Sequence, residues 1–228
     1  MYDILIKEFY SKLKFPGPYT IQDLEFYDNE LYNDYLKFYE ESVNGCYNIL
    51  DVGCGSGFIV NFLARRHPDK HFDAIDFSDS IDYARSFSDE YQINNITYHK
   101  IDFLKWKIEK KFDLVISNGV VHHIPEYEIA IKKIKELSSN KIVLGIYNSY
   151  GKILKRFLSI NYSSNVLYVD QEECPFEVSF TDSEFQKFFK EYSLLKIHPS
   201  YCNCLVNFYN FFNHKNGGLT IYKWQKKD

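Results

Sequence analysis

Hydrophobic positions between residues 47 and 148 follow two alternating periodicities. Short segments rich in apolar residues, with the length of strands, occur at residues 48–52, 72–76, 96–99, 112–116 and 141–146. Apolar residues spaced by three and four, as on one face of a helix, occur at residues 57–66, 81–91 and 127–137. Strands that alternate with helices predict an α/β fold, in which a mostly parallel sheet has helices on both faces.

The segment before the first strand has helical spacing. Leu31, Tyr35 and Phe38 follow one another at steps of four and three, and the pattern predicts a helix between Leu24 and Glu40. Proline and glycine at residues 16–18 separate this helix from whatever precedes it.

The last third of the chain is less regular. Threonine and glutamate at the two ends of residues 181–184 form a capping box, which opens a helix. The apolar face of that helix is predicted at Phe185, Phe188, Phe189 and Tyr192. Two further strands are predicted at residues 194–197 and 219–224, with a glycine turn at 216–218 leading into the second.

Charge and cysteine content narrow the class of partner. The net charge is −4, from 27 basic and 31 acidic residues, and the sequence has no basic stripe, which disfavours nucleic acid as a partner. No apolar run has the length needed to cross a bilayer, and the start does not resemble a secretory signal.

The five cysteines are expected to be free thiols in a reducing cytoplasm. Cys202 and Cys204 have the wrong spacing for zinc, and no metal site is predicted.

The junction between the first strand and the first helix after it has the pattern of a ligand-binding turn. Gly53, Gly55 and Gly57 follow the strand directly, and glycine lets the backbone turn sharply and approach a ligand closely. The dinucleotide fingerprint would need a third glycine where Phe58 stands. Asp51 precedes the turn, and a carboxylate there suits a cation better than a pyrophosphate.

Two more carboxylates follow the next two strands. Asp76 ends the second strand, where a carboxylate can accept both ribose hydroxyls. Asp102 follows the third strand and can accept from an amino group. Phe77 and Phe103 stand next to these acids and are predicted to flank a purine ring.

Residues 51–57, Asp76, residues 101–103 and residues 112–123 occur in the order of four motifs of one family. In these segments the chain resembles class I S-adenosylmethionine-dependent methyltransferases of the small-molecule type, firmly from residue 47 to about residue 148. The resemblance implies a Rossmann-like, seven-stranded, mostly parallel sheet whose last strand is antiparallel. The family often has a Pro-Gly-Gly turn before strand five, and this chain has residues 138–141 there instead.

The resemblance also implies which residues bind each part of the cofactor, S-adenosyl-L-methionine. The product formed from this cofactor is S-adenosyl-L-homocysteine. The glycine turn, with Cys54, would contact the methionine part, and Asp51 would lie near its amino group. Asp76 would bind the ribose and Asp102 the adenine amino group. Asn118 lies where backbone atoms meet the methionine end.

Candidate catalytic and acceptor-binding residues follow the fourth and fifth strands. His123, and second His122, are candidates for a general base, because imidazole titrates near neutral pH; packing against the following helix is the alternative. Tyr147, Asn148 and Tyr150 are predicted to line the acceptor pocket, with ordinary loop packing as the alternative. The chain lacks the Asn-Pro-Pro pattern of enzymes that methylate nucleobase amines.

These features predict four segments: a helical cap over the cofactor at 1–44, the cofactor-binding core at 45–149, a lid-like insertion at 150–192, and closing strands at 193–228. The predicted function is methyl transfer to oxygen or nitrogen of a small molecule. The alternatives are a non-catalytic binding partner with this fold and a methyltransferase acting on protein or RNA. A nicotinamide-dependent oxidoreductase is a further alternative, which Phe58 disfavours.

Overall fold

The computed structural model describes residues 2–12, 17–29, 33–149, 174–198 and 219–227. Its sheet contains the strands β1 (Asn48–Val52), β2 (His71–Asp76), β3 (Ile96–Lys100), β4 (Phe112–Asn118), β5 (Ser138–Tyr147), β6 (Tyr192–His198) and β7 (Leu219–Lys226). The α-helices are α1 (Tyr2–Lys12), α2 (Ile21–Asn29), α3 (Asn33–Ser42), α4 (Phe58–Arg66), α5 (Ser80–Glu90), α6 (Tyr127–Leu137) and α7 (Asp182–Gln186). Short 3-10 turns cover Val121–His123 and Lys187–Phe189.

The sheet has seven strands in the order β3-β2-β1-β4-β5-β7-β6. Strands β1 to β5 pair in parallel, and β7 is antiparallel to both of its neighbours. This confirms the predicted Rossmann-like α/β sheet with an antiparallel last strand. The strand order reverses between β1 and β4, and ligands bind at such a switch point, outside the carboxyl ends of the strands.

Side chains from alternate strand positions pack against helices on opposite faces of the sheet. Ile49 and its neighbours on one face join residues of α2 to α5 in one buried cluster. Leu50 points to the other face, where α6 and the aromatic residues of the C-terminal part complete a second cluster. The prediction of helices on both faces is therefore confirmed.

The N-terminal segment contains more helix than its pattern predicted. The helical spacing expected between residues 24 and 40 is present in two helices, α2 and α3, and α1 precedes them without a clear signal in the sequence. Leu36, Phe38 and Tyr39 of α3 are buried against the sheet. No helix in the described part of the chain is long and apolar enough to cross a membrane.

Two boundaries differ from the sequence prediction because pairing in the sheet overrides local pattern. The capping box at Thr181 is present, with its hydroxyl accepting from the Glu184 N–H at 3.3 Å. The helix it opens is shorter than predicted, and Tyr192 instead begins β6, opposite Lys226. Strand β5 begins at Ser138, directly after α6, where the sequence suggested a turn.

Candidate functional site

A cavity of about 150 Å³ opens at the carboxyl ends of β1, β2 and β4. Most of the predicted site residues line it: Asp51, Gly53, Cys54, Gly55, Asp76, Phe77, Asp102, Phe103, Asn118 and His123. Four predicted residues do not line it: Gly57, His122, Tyr147 and Asn148. Tyr150 lies outside the described residues.

The glycine turn wraps the amino end of α4. Its three glycines have positive φ angles, including +75° at Gly53 and +82° at Gly57. A Cβ on Gly53 would overlap the side chain of Val120, and one on Gly57 would lie 2.6 Å from the Ala84 Cβ. The close approach of these segments therefore requires glycine, and Gly57 acts by letting α4 pack on α5.

The carboxylate of Asp76 is fixed by three donors, two of them on Ser78 and one on the glycine turn. One oxygen accepts from the backbone N–H of Gly55 at 2.9 Å. The other accepts from the N–H of Ser78 at 2.8 Å and from its hydroxyl at 2.7 Å. Burial raises the pKa of Asp76, although the hydrogen bonds from Ser78 and Gly55 act in the opposite direction.

Asp51 is a second buried acid beside the same cavity, and only 4% of it is exposed. Burial, and then the proximity of Asp76, raises its pKa to about 7. Two carboxyl groups that share a buried site make it costly for both to ionise. A cationic group in the cavity would lower that cost, so the electrostatics of this end favour a positively charged ligand.

The segment after β3 forms a wall of the cavity and is held by a lysine from α6. One oxygen of Asp102 accepts from the Leu104 N–H at 2.9 Å, and the other pairs with Lys105 at 2.9 Å. The ammonium of Lys133 donates to the carbonyls of Phe103 and Trp106, each at 2.5 Å. Sequence reasoning missed Lys133, because nothing in a helical pattern shows which loop a surface lysine reaches.

Asn118 lies at the end of β4, where its side chain is held by the N-terminal segment. The hydroxyl of Tyr39 donates to its Oδ1 at 2.6 Å, and its Nδ2 donates to the hydroxyl of Tyr35 at 2.7 Å. A Cβ on Gly145 would overlap Oδ1, so the neighbouring strand also requires glycine here. The sequence prediction concerned the backbone atoms of Asn118, which would contact the ligand. The side-chain amide of Asn118 instead holds α3 in place through Tyr35 and Tyr39.

The two histidines lie in different surroundings. His123 lines the cavity, and its Nδ1 lies 3.1 Å from the Phe176 carbonyl oxygen and 3.2 Å from the Cys174 sulfur. His122 is fully buried, and its ring centroid lies 4.0 Å from that of Tyr147. The geometry therefore favours His123 over His122 as the residue that meets a ligand.

Tyr147 and Asn148 lie at the end of β5, next to the segment that leads into α7. Tyr147 packs on both histidine rings, at centroid distances of 4.0 and 5.6 Å. Asn148 is buried and donates from its amide to the carboxylate of Asp182 at 2.8 Å. Neither lines the cavity in the described part of the chain, and their role in acceptor binding stays a prediction.

Three cavity residues come from the N-terminal helices, and none of them was among the predicted site residues. Ile6 and Tyr10 lie on α1, and Tyr35 lies on α3. The Ser80 hydroxyl donates to the carbonyl of Tyr10 at 3.0 Å and ties α1 to the start of α5. Among the described residues, no group of three histidines, cysteines or acids is arranged to hold a metal ion.

Comparisons with known proteins identify the family of the chain. Residues 44–195 match a family model described as a methyltransferase domain. A malonyl-[acyl-carrier protein] O-methyltransferase from Acetivibrio thermocellus is 30% identical over 131 residues, which are 56% of this chain and 45% of that protein. A trans-aconitate 2-methyltransferase from Mycobacterium tuberculosis is 32% identical over 91 residues, or 40% of this chain and 33% of that protein. The chain thus spans less than half the length of these relatives.

Solved structures with the same fold include two methyltransferases. Magnesium protoporphyrin IX methyltransferase from Synechocystis PCC 6803, with bound SAM, superposes with a TM-score of 0.67 at 13% identity, covering 100% of this chain and 98% of that chain. A Burkholderia thailandensis 1,6-didemethyltoxoflavin-N1-methyltransferase superposes with a TM-score of 0.65 at 12% identity, covering 100% of this chain and 89% of that chain.

Proposed function

Since the chain belongs to the methyltransferase domain family, we propose that it transfers the methyl group of S-adenosylmethionine to an oxygen or nitrogen atom of a small molecule. One observation carries the proposal: Asp51 and Asp76 are buried beside one cavity, at the ends of adjacent strands, over a turn that only glycine can form. Relatives that are named as acting on malonyl-[acyl-carrier protein] and trans-aconitate support a metabolite-like acceptor.

The cavity suits this cofactor in its charge and in the groups that line it. The raised pKa of Asp51, about 7, marks a site that a cationic ligand would stabilise, and the cofactor carries an ammonium and a sulfonium. Asp76 has the acceptor oxygens that a ribose needs. Phe77 and Phe103 line the cavity beside Asp76 and Asp102, as expected for the faces of an adenine ring.

In this proposal each residue has one task in binding. The backbone of the glycine turn and Cys54 hold the methionine part, and Asp51 lies near its amino group. Asp76 binds the ribose. Asp102 accepts from the adenine amino group, since a carboxylate with two existing partners still has lone pairs to offer.

S-adenosylmethionine supplies a methyl group that its sulfonium has already activated. The chain therefore contributes mainly by aligning the acceptor, an effect worth up to roughly 7–11 kcal/mol in well-oriented systems. Where the acceptor must lose a proton, His123 receives it, since its ring lines the cavity. Tyr10 and Ile6 of α1 close the same cavity from the N-terminal side.

The remaining parts of the proposal concern domains and surroundings. Residues 1–44 form the cap over the cofactor and residues 150–192 the lid, which is supported by Tyr10 and Tyr35 in the cavity wall and by Cys174 beside His123. The protein is proposed to work in the cytoplasm without nucleic acid. Cys46, Cys54 and Cys174 are all free thiols, as a reducing compartment requires.

Isothermal titration calorimetry tests the proposal directly. We expect S-adenosylmethionine and S-adenosylhomocysteine to bind with dissociation constants in the micromolar range or below, and NAD(H) to show no binding. Absence of binding by both adenosyl ligands would overturn the proposal. Release of S-adenosylhomocysteine in the presence of a panel of hydroxylated and amine metabolites then identifies the acceptor.

A further inference from the structure

The segment that leads from the insertion into α7 is fastened alongside the histidine turn. The N–H of Val178 donates to the carbonyl of His122 at 2.9 Å. Two residues later, the N–H of Phe180 donates to the carbonyl of Tyr147 at 3.0 Å. These two bonds fix the path of the backbone on both sides of the turn and bring the Phe176 carbonyl to the edge of the His123 ring.

Nδ1 of His123 has two close neighbours on this segment. The carbonyl oxygen of Phe176 lies 3.1 Å away and the sulfur of Cys174 lies 3.2 Å away. The Cys174 thiol is itself within donating distance of the same carbonyl, at 3.3 Å, and the hydroxyl of Tyr10 lies 3.9 Å from the sulfur.

The carbonyl of Phe176 determines where the proton of His123 lies. A carbonyl oxygen can accept but not donate, so Nδ1 must carry the proton to bond with Phe176. The Cys174 thiol then donates to the same carbonyl, and its sulfur can accept from Tyr10. If the thiol donated to Nδ1 instead, the lone pairs of Nδ1 and of the Phe176 oxygen would face each other at 3.1 Å.

We propose that residues 174–178 are a positioning device for His123: their carbonyl at Phe176 holds the proton on Nδ1 and thereby makes Nε2 the nitrogen that receives a proton. This inference rests on the proposed methyl transfer, in which His123 is the base. The two nitrogens of a histidine are distinct, and the hydrogen bond of one sets the protonation of the other. Phe176 acts through His123 and is a positioning residue.

The tautomer is measurable without an acceptor. Long-range proton–nitrogen correlation spectra of the whole chain, labelled with nitrogen-15 histidine, distinguish a protonated from an unprotonated ring nitrogen, and a His123→Gln variant assigns the signals. At pH 7 we expect Nδ1–H to exceed Nε2–H by about tenfold, the ratio that one retained hydrogen bond gives. A dominant Nε2–H form, or a doubly protonated ring, would overturn the inference.

A pair of variants at Val178 tests the cause. Val178→Pro removes the N–H that fastens the segment to His122, and we expect the excess of Nδ1–H to fall to about threefold or less. Val178→Ala keeps the N–H and should retain the wild-type spectrum. An unchanged tautomer ratio in Val178→Pro, with the His99 signals showing an intact fold, would mean that the segment does not position His123.

The outcomes separate this inference from the proposed function. Binding of S-adenosylmethionine together with an Nε2–H tautomer would leave the methyltransferase proposal intact and refute the positioning device. An Nδ1–H tautomer in a chain that binds no adenosyl ligand would refute the methyltransferase proposal and leave the observed positioning of the His123 ring intact.

Discussion

The two ends of the cavity are assembled in different ways. At the end with Asp76, the carboxylate takes its hydrogen bonds from Ser78, two residues away, and from Gly55, 21 residues away. At the end with His123, the ring contacts Cys174 and Phe176, which lie 51 and 53 residues along the chain, and Tyr10 of α1. The end with Asp76 is therefore formed by short sequence motifs, whereas the end with His123 forms only when segments distant in the sequence come into contact.

The glycine turn gives the largest effect with which to break this comparison. Gly57→Ala should destabilise the fold by about 2–5 kcal/mol, because a left-handed residue costs roughly 1–2 kcal/mol and the contact with Ala84 adds overpacking. Urea unfolding measures the loss. Gly45→Ala is the matched control, since Gly45 has φ +73° and open space around it, and only the backbone cost should remain. Equal losses in both variants would show that crowding at α5 plays no part.

The carboxylate at the end of β2 gives the next largest effect. Asp76→Asn should weaken S-adenosylmethionine binding by about 1.5–3 kcal/mol, because a hydrogen-bonded charge is lost from the ribose site. Calorimetry measures the change. Asp79→Asn removes an exposed acid nearby and should leave the affinity within about twofold of the wild type. A wild-type affinity in Asp76→Asn would place the ribose elsewhere.

Asp51 predicts how cofactor binding depends on pH. Its pKa is raised to about 7, so the carboxylate forms as the pH rises toward that value, and the ionised form attracts a cation. The dissociation constant for S-adenosylmethionine should therefore fall about fifteenfold between pH 5.5 and 7, in inverse proportion to the ionised fraction. Asp51→Asn should flatten the profile. A wild-type profile that is already flat would separate Asp51 from the cofactor amino group.

Lys133 gives the smallest effect. It sharpens the comparison because it lies far along the chain from the adenine-side loop that it holds. Lys133→Met should weaken S-adenosylmethionine binding by about 3–10-fold, since the carbonyls of Phe103 and Trp106 lose their common donor. Lys132→Met, on the exposed side of α6, is the control and should bind as the wild type does. Identical affinities in the two variants would mean that the loop holds its shape without Lys133.

The same difference explains what the sequence could predict. The strands and the glycine turn follow from short-range pattern and backbone preference, and the structure places Asp51, Asp76 and Asp102 together as predicted. Ile6 and Tyr10 were missed, because the position of α1 depends on contacts with α5 and with the insertion that no local pattern encodes.

The predicted helix boundary was wrong where strand pairing determines the local structure. Tyr192 fits the apolar face of a helix by spacing, yet it lies in β6 because Lys226 of β7 pairs with it. Asn148 was predicted to line the acceptor pocket from its place after β5, and that role stays a prediction. In the structure its amide reaches Asp182, which also accepts from the Tyr222 hydroxyl. The positions of such residues depend on contacts with distant segments, which a single sequence does not reveal.

The position of β7 has a consequence for the order in which the molecule can form. Among the described strands β7 is the last to be synthesised, yet it lies between β5 and β6, and β6 pairs with β7 alone. Until Leu219 to Lys226 has been synthesised, β5 presents an open edge that can pair with other chains. The nascent chain is therefore exposed to aggregation until β7 has been synthesised, and a premature stop codon before Leu219 would make that exposure permanent.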